Sequence, residues 1–363
     1  MAELLTVDAR HPDRDTIARA AACLRAGGLV AFPTETVYGL GAHALDAVAV
    51  RRIFEAKGRP ASDPLIVHVG DVADLAPLVH EVPPIVHALA ARFWPGPLTL
   101  VLRRAAVVPP EVTAGGETVA VRVPSHPVAR ALLAAAGVPI AAPSANLFSR
   151  PSPTQAAHVA HDLGDRVDLI VDGGSTTIGV ESTVLDLTSV PPVVLRPGGV
   201  SLEALREVVP DVRVRQVEAD EGDTQVSPGL LLRHYSPRTP LTLVDGHDLV
   251  ARIAAEARAR LSTDVRRLVV LASSGVLAGV RSALASAPAP GEAVGHAGRL
   301  TFVDLGPDAD LDALAAGLYA RLREADALGA DLILAGQVPG DAGIALAVRD
   351  RLHRAAAGRV LIG

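Results

Sequence analysis

Two stretches of this chain concentrate polar side chains at points where an apolar run ends. The first, FPTETVYGLG at residues 32–41, follows the apolar run Leu29–Phe32 and holds three hydroxyls and one carboxylate, from Thr34, Glu35, Thr36 and Tyr38. Open α/β sheets place ligands at such strand exits. Because proline lacks the N–H that a sheet ladder needs, Pro33 is expected to end the pairing of the preceding strand. The stretch is therefore predicted to bind a ligand, the alternative being a threonine-rich loop without one.

The second stretch follows the short apolar run Pro139–Ala142. Its polar residues are Ser144, Asn146, Ser149, Arg150, Ser152 and Thr154. Small hydroxyls and exposed backbone amides ahead of a helix N-terminus form a favourable site for phosphate. A helix is expected from Thr154 onward, so this stretch is predicted to hold phosphate. The alternative is a connecting loop rich in proline and serine.

Two residue types are each used once. Lys57 is the only lysine, so arginine supplies 33 of the 34 basic residues, and Asn146 is the only asparagine. In a chain that otherwise uses arginine, this predicts that position 57 needs an ammonium and position 146 an amide. The alternative for each is survival by chance.

The composition limits the class of function. The formal net charge of −6 argues against broad electrostatic binding of nucleic acid. It does not exclude a local basic cleft. Cys23 is the only cysteine, so neither a disulfide framework nor a cysteine-based metal site is expected. No apolar run reaches the ~20 residues of a membrane span, and no signal peptide is recognised. The protein is expected to be cytoplasmic and not to bind membranes.

The chain divides into three predicted parts. Residues 1–210 combine strands and capped helices, such as the helix that begins after Asp46 and ends at Gly58. Residues 211–240 begin with a charged run without apolar periodicity and are predicted to be a linker. Residues 241–363 alternate strands (241–244, 268–271, 300–304, 331–335) with helices (247–260, 308–328, 343–356), which predicts a parallel, Rossmann-like sheet. The small-residue stretch between 272 and 299 is assigned no element.

Eight motifs in this order resemble those of the threonylcarbamoyl-AMP synthases. The resemblance is to the long form, which joins a YrdC-like N-terminal domain to an extra C-terminal domain. The motifs are FPTETVYGLG (32–41), KGRPASDPLIVHV (57–69), FWPGPLTL (93–100), VAVRVPSHP (119–127), APSANLFSRPSPT (142–154), GVESTVLDL (179–187), LRPGG (195–199) and SPGLLLRHYSP (227–237). The segment 343–356 is also similar to the closing helix of the family's C-terminal domain.

The resemblance implies both a fold and an activity. The fold is α/β, with a YrdC-like, twisted open sheet in the catalytic domain 1–210 and a smaller Rossmann-like domain at 241–363. The activity is the synthesis of threonylcarbamoyl-adenylate and pyrophosphate from L-threonine, bicarbonate and ATP with Mg²⁺. The product serves a tRNA modification next to the anticodon, through a downstream transfer machinery. No metal site made by the protein alone and no stable binding of nucleic acid are expected.

Carried over by motif, the resemblance also implies site residues. The threonine pocket would include Thr36, His68, Arg122, Ala142 and Ser182. ATP would be held by Arg59, Asp63, Thr118, Ser144, Ser152, Arg196 and His234, with Lys57 beside the phosphates and Lys57 and Arg59 as the catalytic cations. Where the family's KxRPxxNPL motif has asparagine, this chain has Asp63, which puts direct contact with ATP there in doubt.

The segment 227–237 carries the remaining hypothesis. It holds a glycine-hinged turn followed by His234 and Tyr235 in a chain with only three tyrosines. It is predicted to be a lid, with Tyr235 in it, that excludes water from a labile product; the alternative is an ordinary tether. A double-stranded-RNA-binding module is the alternative function, disfavoured by the acidic charge. A carbamoyl-transferring hydrogenase maturation factor would need cysteine-rich zinc sites, which one cysteine cannot form.

Overall fold

The computed structural model describes residues 1–215, 234–263, 265–286 and 298–362, which form two compact units. The first unit comprises residues 1–148 and 152–215. The second comprises residues 149–151 and the described residues from 234 onward. Most of the predicted linker and lid, 216–233, lies outside the described residues.

The first unit contains eleven strands and seven α-helices among its described residues. The strands are β1 (Glu3–Thr6), β2 (Val30–Pro33), β3 (Tyr38–His43), β4 (Ile66–His68), β5 (Leu98–Arg103), β6 (Thr118–Arg122), β7 (Ile140–Ala141), β8 (Leu169–Asp172), β9 (Thr183–Asp186), β10 (Val193–Arg196) and β11 (Arg213–Val214). The helices are α1 (Arg14–Arg25), α2 (Ala47–Lys57), α3 (Pro84–Phe93), α4 (Pro110–Thr113), α5 (Pro127–Ala136), α6 (Ala156–Leu163) and α7 (Leu202–Arg206).

All eleven strands join one mixed sheet in the order β1-β8-β2-β3-β7-β4-β6-β5-β9-β10-β11. β6 pairs in parallel with β4 and antiparallel with β5, and β5 pairs in parallel with β9. This order makes neighbours of strands that are distant in sequence. It brings the motif strands β4, β6, β5 and β9 side by side, and it confirms the α/β prediction for this half of the chain.

The two faces of this sheet are covered differently. Alternate strand residues point to opposite faces. On one face, residues such as Ala31, Val67 and Leu100 pack with α2, α3 and α6 in the largest core. On the other, Val30 and Phe32 pack against α1 and α5. Farther along that second face lies a smaller cluster without any helical residue, formed by Ile66, Val101, Ala120, Val184 and Leu195. This part of the second face has no helix in its cluster, so strand side chains there are available to form a site.

The first polar stretch folds as a hairpin. β2 and β3 pair antiparallel, and Pro33 opposite Tyr38 is the last pair before the turn, so the pairing ends at Pro33 as expected. The pair tolerates proline because Pro33 is the last residue of its strand and the Tyr38 N–H bonds the Pro153 carbonyl instead. Residues 34–37 form the tight turn between the strands, closed by the Thr34 hydroxyl, which donates to the Val37 carbonyl at 2.6 Å.

The ends of α2 follow from its sequence. The Asp46 side chain accepts hydrogen bonds from the backbone of Val48 and Ala49, as an N-cap should. Gly58 ends the helix with φ of 62°, a left-handed conformation that glycine adopts without a Cβ penalty. Lys57 is thus the last helical residue, and Arg59 opens the following loop. Farther along, residues Val72–Leu75 form a 3₁₀ turn that begins after Asp71.

The second unit is built on a five-stranded parallel sheet with the order β14-β13-β15-β12-β16. This confirms the Rossmann-like prediction. The small-residue stretch after β13 forms the helix α9, which the sequence analysis missed. The elements are β12 (Leu241–Asp245), α8 (Leu249–Leu261), β13 (Leu268–Ala272), α9 (Ser274–Ser286), β14 (Leu300–Asp304), α10 (Leu311–Ala327), β15 (Leu332–Gly336), α11 (Ile344–Ala356) and β16 (Val360–Ile362). None of the helices in the described ranges is long and apolar enough to cross a membrane.

Candidate active site

Arg122, at the carboxyl end of β6, is the centre of a buried hydrogen-bond network. Its Nη2 donates to Glu35 Oε1 at 2.7 Å, its Nη1 to Thr36 Oγ1 at 3.0 Å and its Nε to the Gly96 carbonyl at 3.2 Å. Both partners of the Arg122–Glu35 ion pair are buried. The turn of the β2–β3 hairpin is thereby fixed against the end of β6, and the first polar stretch becomes one wall of a site.

Glu35 is a site residue that the sequence analysis did not assign. Its second oxygen, Oε2, accepts a hydrogen bond from the Ser125 N–H at 3.1 Å. Burial alone would raise the pKa of Glu35, but the charge and hydrogen bond of Arg122 hold that pKa below its ordinary value. Glu35 is therefore an ionised partner for Arg122. The available signal was that Glu35 is the only carboxylate in the first polar stretch.

His68 ends β4 directly beside Arg122, with which it is in register. Burial, reinforced by the charge of Arg122, lowers the pKa of His68 to about 3. The imidazole is therefore neutral near pH 7. Its Nδ1 is buried and has no hydrogen-bond partner in the part of the chain that the structure describes, and its ring meets Phe32 edge-on at 6.3 Å. We refer to Glu35, Thr36, His68 and Arg122 as the Arg122 cluster.

Ser182 links the neighbouring strands to a second arginine. Its Oγ lies 2.8 Å from Thr99 Oγ1, and Arg196 Nη2 donates to the Ser182 carbonyl at 3.0 Å and to its hydroxyl at 3.3 Å. Gly198 allows this contact, because a Cβ there would lie 2.4 Å from backbone atoms of residues 181–183. The LRPGG motif thus needs its first glycine for close backbone approach.

Lys57 joins the end of α2 to the second polar stretch. Its buried ammonium donates to the carbonyls of Ser144 at 2.5 Å and Asn146 at 2.6 Å. Burial and the nearby charge of Arg59 hold the pKa of Lys57 well below its ordinary value. The only lysine and the only asparagine of the chain therefore meet through a backbone carbonyl, and the lysine positions the loop on which the predicted phosphate groups lie.

Arg59 and Asp63, four residues apart in the motif that begins at Lys57, form a buried ion pair. Arg59 Nη2 lies 3.0 Å from Asp63 Oδ2 but directs its hydrogen bond to the Pro64 carbonyl at 2.7 Å, and Arg59 Nε donates to the Asp63 carbonyl. Arg59, Lys57 and Arg196 all act electrostatically on the Asp63 carboxyl, although burial raises its pKa overall. We refer to Lys57, Arg59, Asp63 and Arg196 as the cationic cluster.

The other predicted residues of the first unit lie in varied places. Ala142 is buried, and its N–H bonds the Ile66 carbonyl at 2.9 Å beside His68. The Ser152 hydroxyl is buried and donates to Glu181 Oε1 at 2.6 Å. Thr118 begins β6 at the end opposite Arg122. The β4–β6 register, continued by two residues, puts Thr118 level with Pro64 and hence on the side of Arg59.

His234 and Tyr235 lie in the second unit. Their rings are 4.0 Å apart, Tyr235 lies 5.4 Å from Tyr319, and the Arg351 guanidinium lies 5.2 Å from the Tyr235 ring centre. Tyr235 is buried and has φ of 59°. Binding of ATP by His234 and a lid role for Tyr235 stay predictions, as does the lid segment.

Metal ligands are few. Among residues 1–215 and the described parts beyond 233, no group of three or more His, Cys, Asp or Glu side chains is arranged to hold a metal ion.

Comparison with known proteins covers both units. A family model described as Telomere recombination (Sua5, YciO, YrdC) matches residues 22–198, and one described as Threonylcarbamoyl-AMP synthase, C-terminal domain, matches residues 200–357. The chain is 46% identical to a threonylcarbamoyl-AMP synthase of Bacillus subtilis, over 95% of this chain and 94% of that protein. It is 44% identical to one of Pyrococcus abyssi, over 94% of each.

A solved structure agrees with these matches. The structure of Pyrococcus abyssi Sua5 in complex with L-threonine superposes with a TM-score of 0.86 at 41% identity, over 99% of each chain. The similarity thus extends through both units, in sequence and in fold. The resemblance read from the eight motifs is confirmed, and this chain belongs to the threonylcarbamoyl-AMP synthase family.

Proposed function

We propose that this protein makes threonylcarbamoyl-adenylate and pyrophosphate from L-threonine, bicarbonate and ATP. The observation that carries the proposal is the continuity between its two clusters. The β5–β6 register, extended by one residue, puts Thr99 opposite Arg122, and Thr99 bonds Ser182, which bonds Arg196. A site for an amino acid and a site for phosphates therefore share one face of the sheet.

The Arg122 cluster suits a zwitterionic amino acid. Arg122 uses three of its five N–H groups on Glu35, Thr36 and Gly96, which leaves two for the carboxylate of threonine. Because Glu35 already balances the charge of Arg122, the cluster does not favour an anion without an amino group. The neutral His68 offers its unpartnered Nδ1 to a polar group of the substrate.

The cationic cluster suits the triphosphate. The threonine amine attacks the carbon of bicarbonate and water leaves, which gives a carbamate. A carbamate oxygen then attacks the α-phosphorus of ATP, the bond to the β-phosphate oxygen breaks, and pyrophosphate departs with the negative charge. Positioning and charge neutralisation dominate such a step. Lys57, Arg59 and Arg196 supply three cationic side chains beside one carboxylate, and no side-chain nucleophile is required.

Mg²⁺ would add to this neutralisation. When bound, it would offset phosphate charge and orient the triphosphate. The donor set fits an ion that arrives with ATP, since oxygen ligands are what Mg²⁺ prefers and Asp63 has an unpartnered carboxylate oxygen. Arg59 and Arg196 would hold the remaining phosphate oxygens through charge-assisted hydrogen bonds.

Four finer assignments belong to this proposal. We place the protein in the cytoplasm, where ATP and bicarbonate are available. Its product is a mixed anhydride that water destroys, so a tRNA threonylcarbamoyl-transfer machinery must accept it. We also assign ATP contact to His234 and a lid role to the segment 227–237, with Tyr235 in it. No observation favours binding of double-stranded RNA.

The test is pyrophosphate release by the purified full-length protein with ATP and Mg²⁺. Release is expected only when L-threonine and bicarbonate are both present, with AMP appearing once the product hydrolyses. Each substrate is omitted in turn, and L-serine replaces L-threonine as a specificity control. Production of ADP, or turnover that is indifferent to threonine, would overturn the proposal.

A further inference from the structure

Asp63 is a buried carboxylate with one side-chain oxygen that has no partner. Its residue is 1% exposed; Oδ2 lies 3.0 Å from Arg59 Nη2, whereas Oδ1 is buried without a hydrogen-bond partner in the described part of the chain. Arg59 directs its own well-aligned hydrogen bonds to the backbone carbonyls of Asp63 and Pro64. A carboxylate offers about four acceptor positions, and leaving Oδ1 without a partner in a buried site is costly.

The surroundings of Asp63 define what could fill these positions. Lys57 has committed its ammonium to the Ser144 and Asn146 carbonyls, so it attracts Asp63 without a hydrogen bond. An incoming phosphate cannot donate to a carboxylate, and the two negative groups repel each other. A divalent cation between them removes the repulsion and gives Oδ1 a partner, because it bonds carboxylate and phosphate oxygens alike.

We propose that Asp63 is the protein's own ligand for the Mg²⁺ that accompanies ATP, an inference that rests on the proposed function. A carboxylate oxygen of Asp63 would take one coordination position, with phosphate oxygens and water in the others. Without ATP the ion has too few protein ligands, in agreement with the absence of a three-ligand cluster among the described residues.

The test measures metal binding directly, with Mn²⁺ as the probe. Binding of Mn²⁺ to the full-length protein is followed by electron paramagnetic resonance, with and without ATP, for wild type, Asp63→Asn and Asp165→Asn. Asp165→Asn is the matched control, because it is the same substitution at an exposed aspartate outside the cationic cluster. Loss of the charged ligand should weaken Mn²⁺ binding to the ATP complex by roughly tenfold in Asp63→Asn and leave the control unchanged.

A measurement on unsubstituted protein covers the case in which Asp63→Asn fails to fold. Wild type labelled with ¹³C at its aspartate carboxylates should show carboxylate hyperfine coupling to Mn²⁺ only with ATP present. Equal Mn²⁺ affinity in Asp63→Asn, or no such coupling, would overturn the inference, even if threonine-dependent pyrophosphate release holds. Failure to bind ATP at all would overturn both this inference and the proposed function.

Discussion

The Arg122–Glu35 pair decides how the threonine side of the site is held. Burying two charges is costly, and the pair is tolerated because each charge meets the other and a set of hydrogen bonds. Removal of one partner then leaves an uncompensated charge in a buried place. Arg122 therefore has a structural role besides the binding role proposed for it, and its motif alone did not indicate the structural one.

Arg122→Ala is therefore expected to destabilise the first unit by about 3–5 kcal/mol, since it leaves the buried Glu35 carboxylate unpaired. Chemical denaturation followed by circular dichroism measures this change. The double variant Arg122→Ala with Glu35→Gln removes the stranded charge and should recover part of the loss, although threonine-dependent turnover stays impaired. Equal stability of wild type and Arg122→Ala would contradict the burial argument.

Among single residues, most candidates were predicted through the family resemblance, motif by motif, and only Lys57 stood out by its own type. His68 and Arg122 end the adjacent strands β4 and β6, Thr36 reaches Arg122 from the hairpin turn, and Ser182 lies just before β9. Lys57, Arg59, Asp63 and Arg196 form the second cluster. Glu35 was passed over because its partner lies 87 residues away. The sequence alone does not show whether a carboxylate is exposed or forms a buried ion pair, because the pairing depends on the strand order.

At the scale of elements, close contact between backbone segments decides the local structure more than the helix or strand propensity of the residues does. The contact at Gly198 and the hydrogen bond from Tyr38 to the Pro153 carbonyl are two examples. Capping residues predicted α2 correctly, because the Asp46 side chain and the Gly58 backbone interact with residues only a few positions away. The helix α9 was missed because its residues are small and its apolar pattern is weak. The β2–β3 hairpin was missed because Tyr38–His43 contains two glycines and no β-branched residue, so its sequence does not indicate a strand.

Gly198→Ala tests one of these contacts. The added Cβ would lie 2.4 Å from backbone atoms of residues 181–183, so the chain between β9 and β10 must move. We expect a loss of about 1–3 kcal/mol, the range for overpacking, together with reduced turnover as Arg196 and Ser182 separate. Stability is measured by chemical denaturation, and turnover by pyrophosphate release.

Gly317→Ala is the control for this substitution. Gly317 lies inside α10, and a Cβ there meets only the Leu305 carbonyl at 3.7 Å, an ordinary contact. Alanine in a helix interior should stabilise by about 0.5–1 kcal/mol relative to glycine. The steric explanation fails if both substitutions change stability in the same direction.

At the scale of the whole molecule, the alternation of strands and helices predicted the parallel sheet of the second unit. It could not predict the strand order of either sheet, because order depends on which strands meet after long connections. The first sheet mixes parallel and antiparallel neighbours, and local patterns carry little information about that choice. The motif order nevertheless identified the family, because eight motifs in the same order form a specific signature.

The free energy of unfolding should depend on pH in acid because His68 is buried in its neutral form. Its pKa falls from 6.5 to about 3 on folding, so below pH 6.5 the unfolded chain binds a proton that the folded chain refuses. The contribution is complete above pH 6.5 and is lost as pH falls toward 3, by at most about 1.4 kcal/mol per pH unit. His68→Asn should flatten the dependence of the unfolding free energy on pH in that interval. Parallel curves for wild type and variant would show that His68 is not buried neutral.

Trp94 is the only tryptophan of the chain and stands on the loop that leads to the Arg122 cluster. Its indole N–H donates to the Leu98 carbonyl at 2.7 Å, and two residues after it the Gly96 carbonyl receives the Arg122 Nε. All tryptophan emission of this protein therefore originates a few bonds from the threonine side of the site. The molecule carries its own optical reporter, so a shift in emission on addition of L-threonine comes from this wall, without a label and without a background from other indoles.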